Sequence, residues 1–205
     1  VESLQGTSYE VGMGRIADCL GVTPGTATTM VKSMESKGLV KYRPRKGVKL
    51  TTAGRKVGMN MLRRHRLLET FLVETLGLDW GEIHEEAEVL EHAISEKVLE
   101  KLDEFLGRPS HDPHGDPIPT KRGGLPKASN RSLLDCKVGD LVRIESIQDQ
   151  EKEFLQFARK NKLMPGRKIE VIRHDRIADS IEIKIDNKTV ITLGSKTAEK
   201  IVIRN

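Results

Sequence analysis

Apolar positions recur every three to four residues through the first half of the chain and every second residue through the last third. Residues 12–20 place Ile16, Ala17 and Leu20 on one helical face, and Gly21 stops that helix. Thr23 is placed to cap the next helix, with Pro24 at its first position. That helix runs to about Ser36 with Ala27, Met30, Val31 and Met34 inward, and Lys37-Gly38 closes it. Two short strands, residues 39–43 and 48–51, flank Pro44-Arg45-Lys46-Gly47 and read as a basic hairpin. Thr52 then caps a long helix over residues 53–76, ended by Gly77.

Helix, turn, helix, hairpin, helix is the order of a winged helix-turn-helix. Residues 80–106 continue the helical period, first around a cluster of Glu and His and then from Ser95. Their apolar face (Val89, Leu90, Ile94, Val98, Leu99, Leu102, Phe105) suits burial in the core or a homodimer interface. Residues 107–131 are rich in Gly, Pro and polar side chains and read as a linker. Beyond them, segments starting at Asp140, Lys168, Ser180 and Thr189 alternate at two residues, interrupted by a helix over residues 150–160. A small β-barrel similar to an SH3 domain follows. The expected fold is α+β: a winged helix-turn-helix over residues 1–60, a helical domain over 61–108, a linker over 109–132 and the barrel over 133–205.

Composition narrows the function. Charged residues make up 32% of the 205 and aromatics only 3%. No apolar run approaches the ~18 residues that span a bilayer, and no signal peptide opens the chain. No membrane partner is therefore expected, and the compartment reads as the cytoplasm. The two cysteines, Cys19 and Cys136, lie far apart and imply neither a disulfide framework nor a zinc knuckle. The net charge of +5 is unevenly spread. Residues 32–66 are strongly basic with Glu35 as their one acid, and residues 69–104 are mainly acidic. That split fits a polyanion at one end and a cation at the other.

The cation reading rests on Ile83-His84-Glu85-Glu86-Ala87-Glu88-Val89-Leu90-Glu91-His92. Glu88, Glu91 and His92 stand at i, i+3 and i+4, on one helical face, so two carboxylates and an imidazole can meet one ion. His84 lies one turn before Glu88. Upstream, Arg64-His65-Arg66-Leu67-Leu68-Glu69 repeats the His/Glu pairing at i, i+4.

This order of parts resembles the iron- and manganese-dependent repressors of the diphtheria toxin repressor family, over nearly the whole chain. The motifs that carry it are Arg64-His65-Arg66-Leu67-Leu68-Glu69, the Glu-x-x-Glu-His of residues 88–92 and the Pro-rich stretch around His114-Gly115-Asp116-Pro117-Ile118-Pro119. The resemblance implies a first metal site containing Glu88, Glu91 and His92, completed by residues of an N-terminal helix. This chain opens Val1-Glu2-Ser3-Leu4, like the tail of a helix under way, so a preceding segment is expected; Glu2 and Glu10 are poor substitutes by position. A second site is implied at His65, Glu69 and His84, joined either by Glu151, Glu153 or Gln156 from the barrel or by Asp112 and His114, where some members carry Cys-x-His. Two ions per subunit are expected. Glu at position 88, where iron-responsive members commonly place Cys, favours Mn²⁺ over Fe²⁺, since carboxylate oxygens suit the harder ion.

DNA contacts are expected from Thr23, Pro24, Thr26, Thr28, Thr29 and Lys32 on the recognition helix and from Arg43, Arg45 and Lys46 in the hairpin. The threonines offer methyl contacts and single hydrogen bonds but no bidentate base pairing, so DNA shape and bridging water should carry much of the specificity. The hairpin cations suit phosphate. A dimer on a palindromic operator, repressing metal-uptake genes when the ion is abundant, is the expected function. A metallohydrolase is the rival, but no nucleophile or phosphate loop accompanies the ligands. A constitutive DNA-binding protein with a purely structural Glu/His face is the other alternative.

Overall fold

The structure, a computed structural model, describes residues 10–126 and 129–205. Glu2 and the chain's opening residues lie outside them. The chain divides into two compact units, one running to Leu62 with Lys121–Gly123, the other holding Arg63–Thr120 and Gly124–Asn205.

The first unit contains α1 (Met13–Leu20), α2 (Pro24–Ser36), β1 (Val40–Arg43), β2 (Gly47–Leu50) and the start of α3 (Thr52–Glu74). Thr23 caps α2 as expected: its Oγ1 accepts from the Thr26 amide at 3.2 Å, with Pro24 at the first position. At α3 the cap is Thr51, one residue earlier than expected, because its Oγ1 accepts from Gly54 N at 3.0 Å. A Cβ on Gly54 would lie 1.8 Å from the Leu39 carbonyl oxygen, so only glycine lets the helix start this close to the wing. Val31, Val40 and Val48 form the core, with Met13, Ile16 and Tyr42 against them. Leu20, Met30 and Met34, expected inward, are instead exposed. The helix α2 meets this core along Ala27 and Val31, and the methionines lie off that edge. The wing is antiparallel, with Tyr42 opposite Val48 and Arg43 opposite Gly47.

The second unit holds the rest of α3, α4 (Ile83–Ala93), α5 (Glu96–Phe105) and a five-stranded antiparallel sheet with its helices. The helical period over residues 80–106 is broken at Ile94, which is extended, and Ser95 caps α5 through Val98 N. Leu68, Leu72, Ile83 and Ala87 pack α3 on α4, and Leu67, Leu99 and Ile118 pack α3 on α5. Val89, Val98 and Phe105 stay exposed on α4 and α5.

The sheet order is β6-β5-β4-β3-β7, with β3 Leu141–Ile147, β4 Lys168–Asp175, β5 Ser180–Ile185, β6 Thr189–Gly194 and β7 Ile201–Arg204; α6 (Lys152–Lys160) and α7 (Ser195–Glu199) flank it. Register shifts at Ile144/Ser146 and Val171/Arg173 bend it. Alternation is clean in β5, where Ile181, Ile183 and Ile185 are all buried. Trp80, ahead of α4, sits in the core of this sheet with Leu133, Leu155 and Ile203.

The stretch expected as a linker is packed. Asp112, His114, Gly115, Pro117, Ile118 and Pro119 are buried. Pro113, Pro117 and Pro119 have no amide to offer a strand, so the segment is held by other partners instead. Arg66 donates to Pro117 O at 2.6 Å, and Ile147 N donates to His114 O at 2.9 Å.

Candidate metal centre

Two groups of side chains converge on ligand geometry among the described residues: His65 with Glu69 and His84, and Glu69 with Asp112 and His114. In each, the potential ligand atoms lie within 4.8 Å of one another. Glu69 belongs to both. One turn of α3 separates it from His65, whose Nε2 stands 3.0 Å from Glu69 Oε1. His84, at the start of α4, brings Nδ1 to 3.1 Å from His65 Nε2 and 3.4 Å from Glu69 Oε1. The other carboxylate oxygen, Oε2, faces His114 Nδ1 at 3.9 Å.

The electrostatics favour a cation. Burial would raise the Glu69 carboxyl, but hydrogen bonds from His65 and His84 outweigh it and hold it down at about 2. Burial lowers the His65 imidazolium, yet Glu69 and Glu91 more than offset it, so its pKa is raised. Glu69 raises that of His84. Asp112 is pushed well above the carboxylate range by burial and by the neighbouring Asp116 and Glu69, with Arg66 opposing. Asp112 and Asp116 thus share one guanidinium, Arg66, which lies 3.3 Å from Asp112 Oδ2 and 3.0 Å from Asp116 Oδ2. Of the buried atoms here, His114 Nδ1 makes no hydrogen bond, and Asp112 Oδ2 has only the ion pair with Arg66. Buried polar atoms are ordinarily satisfied, so this donor set fits a divalent ion.

The first implied site is more open. Glu88, Glu91 and His92 share the outer face of α4, as their spacing requires. The Glu88 and His92 side chains are 62% and 74% exposed, and Glu91 is only 13% exposed because it turns to His65 Nδ1 at 3.0 Å. Glu88 Oε1 stands 3.7 Å from His84 Nε2, and Glu91 Oε1 stands 3.6 Å from His92 Nε2. Glu10 pairs instead with Arg43 of the wing.

The structure does not bring Glu151 or Glu153 into either converging group. Both are exposed at the start of α6, Gln156 is exposed midway along it, and Lys152 between the two acids pairs with Glu82. Sequence reasoning passed over Arg66, Asp116, Trp80 and Gln150, which surround the buried group. Nothing local marks them; only the adjacency of Arg66 to His65 was available as a signal.

On the DNA-reading side, Thr23, Pro24, Thr26, Thr29, Lys32, Arg43, Arg45 and Lys46 are exposed, and Thr28 is half-buried. Thr28 and Thr29 donate their hydroxyls to the Pro24 and Gly25 carbonyls at 2.7 and 3.2 Å. Their outward chemistry is therefore methyl contact and hydrogen-bond acceptance.

A chain that carries both a winged helix and a carboxylate/imidazole centre has the parts of a metal-responsive DNA-binding regulator. Residues 3–48 match the iron dependent repressor N-terminal DNA binding domain, residues 51–120 the iron dependent repressor metal binding and dimerisation domain, and residues 131–205 the FeoA domain. The iron-dependent repressor IdeR of Mycobacterium leprae is 40% identical over 105 residues, which is 51% of this chain and 46% of that protein. The diphtheria toxin repressor of Corynebacterium glutamicum is 37% identical over 142 residues, 67% of this chain and 62% of that protein. The chain thus matches about half the length of the first of these relatives. A solved manganese-dependent transcriptional repressor in complex with manganese superposes with a TM-score of 0.89 at 35% identity, covering 98% of this chain and 94% of that one.

The chain belongs to the iron-dependent repressor family that includes the diphtheria toxin repressor. That family consists of DNA-binding, metal-dependent regulators rather than enzymes, which disposes of the hydrolase alternative.

Proposed function

We propose that this chain is a dimeric, cytoplasmic repressor that binds a palindromic operator when loaded with Mn²⁺, with Fe²⁺ the alternative, and so controls metal-uptake genes. The observation that carries the metal dependence is Glu69, a buried carboxylate with His65 and His84 at one oxygen and Asp112 and His114 at the other side. In this reading the second site is built around Glu69. The first uses Glu88, Glu91 and His92, giving two ions per subunit.

Oxygen and imidazole donors throughout favour Mn²⁺, and neither cysteine joins a ligand group. In vitro selectivity should be loose, because affinity rises from Mn²⁺ to Fe²⁺ in nearly any such site. A bound dication supplies positive charge that lets these carboxylates share one pocket. His65 links the two sites, since its two ring nitrogens face Glu69 and Glu91.

Loading shifts the population toward the DNA-competent arrangement, and operator DNA must in turn tighten ion binding by the same factor. The exposed apolar stripe of Val89, Val98 and Phe105 supports a homodimer, which would set two α2 helices in successive major grooves. Arg43, Arg45 and Lys46 anchor phosphates, and Thr26, Thr28 and Thr29 read the groove.

The test is binding to a palindromic promoter fragment with Mn²⁺, with anaerobic Fe²⁺ and with chelator, on this chain and on one extended at its N-terminus. Ion-dependent binding supports the reading. Identical binding and identical salt slopes in all conditions would leave a constitutive DNA-binding protein.

A further inference from the structure

We infer that the C-terminal sheet domain is the positioning element of the buried Glu69/Asp112/His114 site: it clamps the residue 112–116 turn so that the imidazole and carboxylate face one ion. The inference rests on reading those three residues as ligands.

The clamp acts first on His114. A carbonyl can only accept, so the 3.0 Å contact between His114 Nε2 and Trp80 O makes Nε2 the protonated nitrogen. In the neutral ring the lone pair then sits on Nδ1, the buried atom that lacks a hydrogen bond and faces Glu69. A metal-ligating histidine is ordinarily held in this way by an acceptor on its other nitrogen. Trp80 also stacks on the His114 ring, with centroids 5.3 Å apart and planes at 28°. The Trp80 side chain is itself buried in the sheet core, so the orientation of His114 depends on that core being assembled.

The turn is gripped a second time through the backbone. Asp112 Oδ1 accepts from both His114 N and Asp116 N at 2.9 Å, which closes the turn, while Oδ2 stands 3.3 Å from the Arg66 guanidinium. β3 then docks on it. Ile147 N donates to His114 O at 2.9 Å, and the register of β3 against β7 skips Glu145. Such a bulge re-aims the local backbone, and here the Glu145 carbonyl lies against Gly115. A Cβ on Gly115 would stand 1.9 Å from Glu145 O and 2.8 Å from Ser146 Cα, and φ is +86°. Only glycine permits this approach. Gln150 completes the grip, donating to Asp116 Oδ2 at 3.2 Å.

Gly115→Ala therefore separates positioning from ligation, because it touches no ligand atom. Gly139→Ala is the control: it has a comparable φ of +88° with no neighbour within 4 Å. Mn²⁺ bound per full-length chain is counted by electron paramagnetic resonance of the free ion, with circular dichroism as a check of folding. Gly115→Ala should lose one equivalent or weaken it about 10–100-fold, the usual cost of removing an outer-shell support. Gly139→Ala should bind as the unmodified chain does, and Gly115→Ala should add nothing to His114→Ala. Gly115→Ala binding like the unmodified chain while His114→Ala loses an ion would overturn the clamp alone. His114→Ala with unchanged stoichiometry would overturn the ligand reading and the clamp with it. Nitrogen-15 histidine spectra of the unmodified chain, with and without diamagnetic Cd²⁺, test the same point without any substitution. A proton retained on His114 Nε2 and a Cd²⁺ shift confined to Nδ1 are expected; the opposite pattern defeats the inference.

Discussion

On the outer face of α4, Glu88 and His92 stand in solvent, whereas Glu69, Asp112 and His114 are sealed between α3, the residue 112–116 turn and the sheet domain. The two groups use the same donor types but meet different physics. Exposed side chains keep their water and rotamer freedom until an ion orders them, so a site built from them would suit sensing: binding would change the structure because little is fixed beforehand. The buried group has already been desolvated and oriented by folding. Burial and the neighbouring Glu69 raise the proton affinity of Asp112 and Asp116, so a cation bound there would offset that crowding. His65 stands between the two, joined to Glu69 on one side and Glu91 on the other.

The sharpest way to break this contrast is to remove the buried group's counter-charge. Arg66→Met should destabilise the ion-free protein by about 3–5 kcal/mol, the usual cost of orphaning buried charges. Saturating Mn²⁺ should recover part of that loss. Thermal unfolding with and without Mn²⁺ reads both, and equal losses in the two conditions would mean that the pocket takes no cation.

Next come the ligands themselves. Glu69→Ala and Glu91→Ala should each lower Mn²⁺-dependent operator affinity on the order of 100-fold, within the usual range of allosteric coupling. Only Glu69→Ala should also lower ion-free stability clearly, because Glu91 is less enclosed. Full Mn²⁺-dependent binding by Glu91→Ala would remove the exposed site from the mechanism.

The pH response sharpens the same point. His65 and His84 have folded pKa values raised above 6.5. Their stabilising contribution is fully present below 6.5 and is lost as pH rises through the raised values. Glu69 titrates far lower and contributes no change in that window. Mn²⁺ needs the neutral imidazoles, so its binding strengthens over the same range. The Mn²⁺-induced rise in Tm should therefore widen from about pH 6 to about pH 8; a constant gap would show that these histidines are not ligands.

Smaller effects belong to the DNA face. Arg45→Ala should weaken binding to all sequences alike and reduce the salt slope by about 0.9, the loss of one phosphate contact. Thr29→Ala should be smallest, a few-fold loss confined to one base pair, because its hydroxyl is turned back on Gly25 and its methyl carries the contact. Operator titrations at several salt concentrations distinguish the two.

Much of this molecule was legible before any coordinates. The Thr23–Pro24 cap, the wing, the break at Ser95 and the Glu/His spacing on α4 are local features, set within a turn or two by backbone geometry and period. The alternation Ile181, Ile183, Ile185 likewise announced a strand with one face in a core. What failed was whatever depended on how much core a helix meets: Met30 and Met34 have the right period, yet they lie off the Ala27–Val31 edge that meets the winged-helix core.

The sequence by itself therefore determined the elements, their order and the family, and it marked the candidate ligands. Only the tertiary structure decided which of them meet. Glu151 and Glu153 were as plausible as Asp112 and His114 when read along the chain, because nothing local records which loop folds back on α3. A turn rich in proline and glycine reads as a linker until Arg66, Trp80 and the β3 bulge surround it, since its burial comes from partners distant in sequence. Convergence at Glu69 is a property of packing, and packing is where a short local pattern stops being informative.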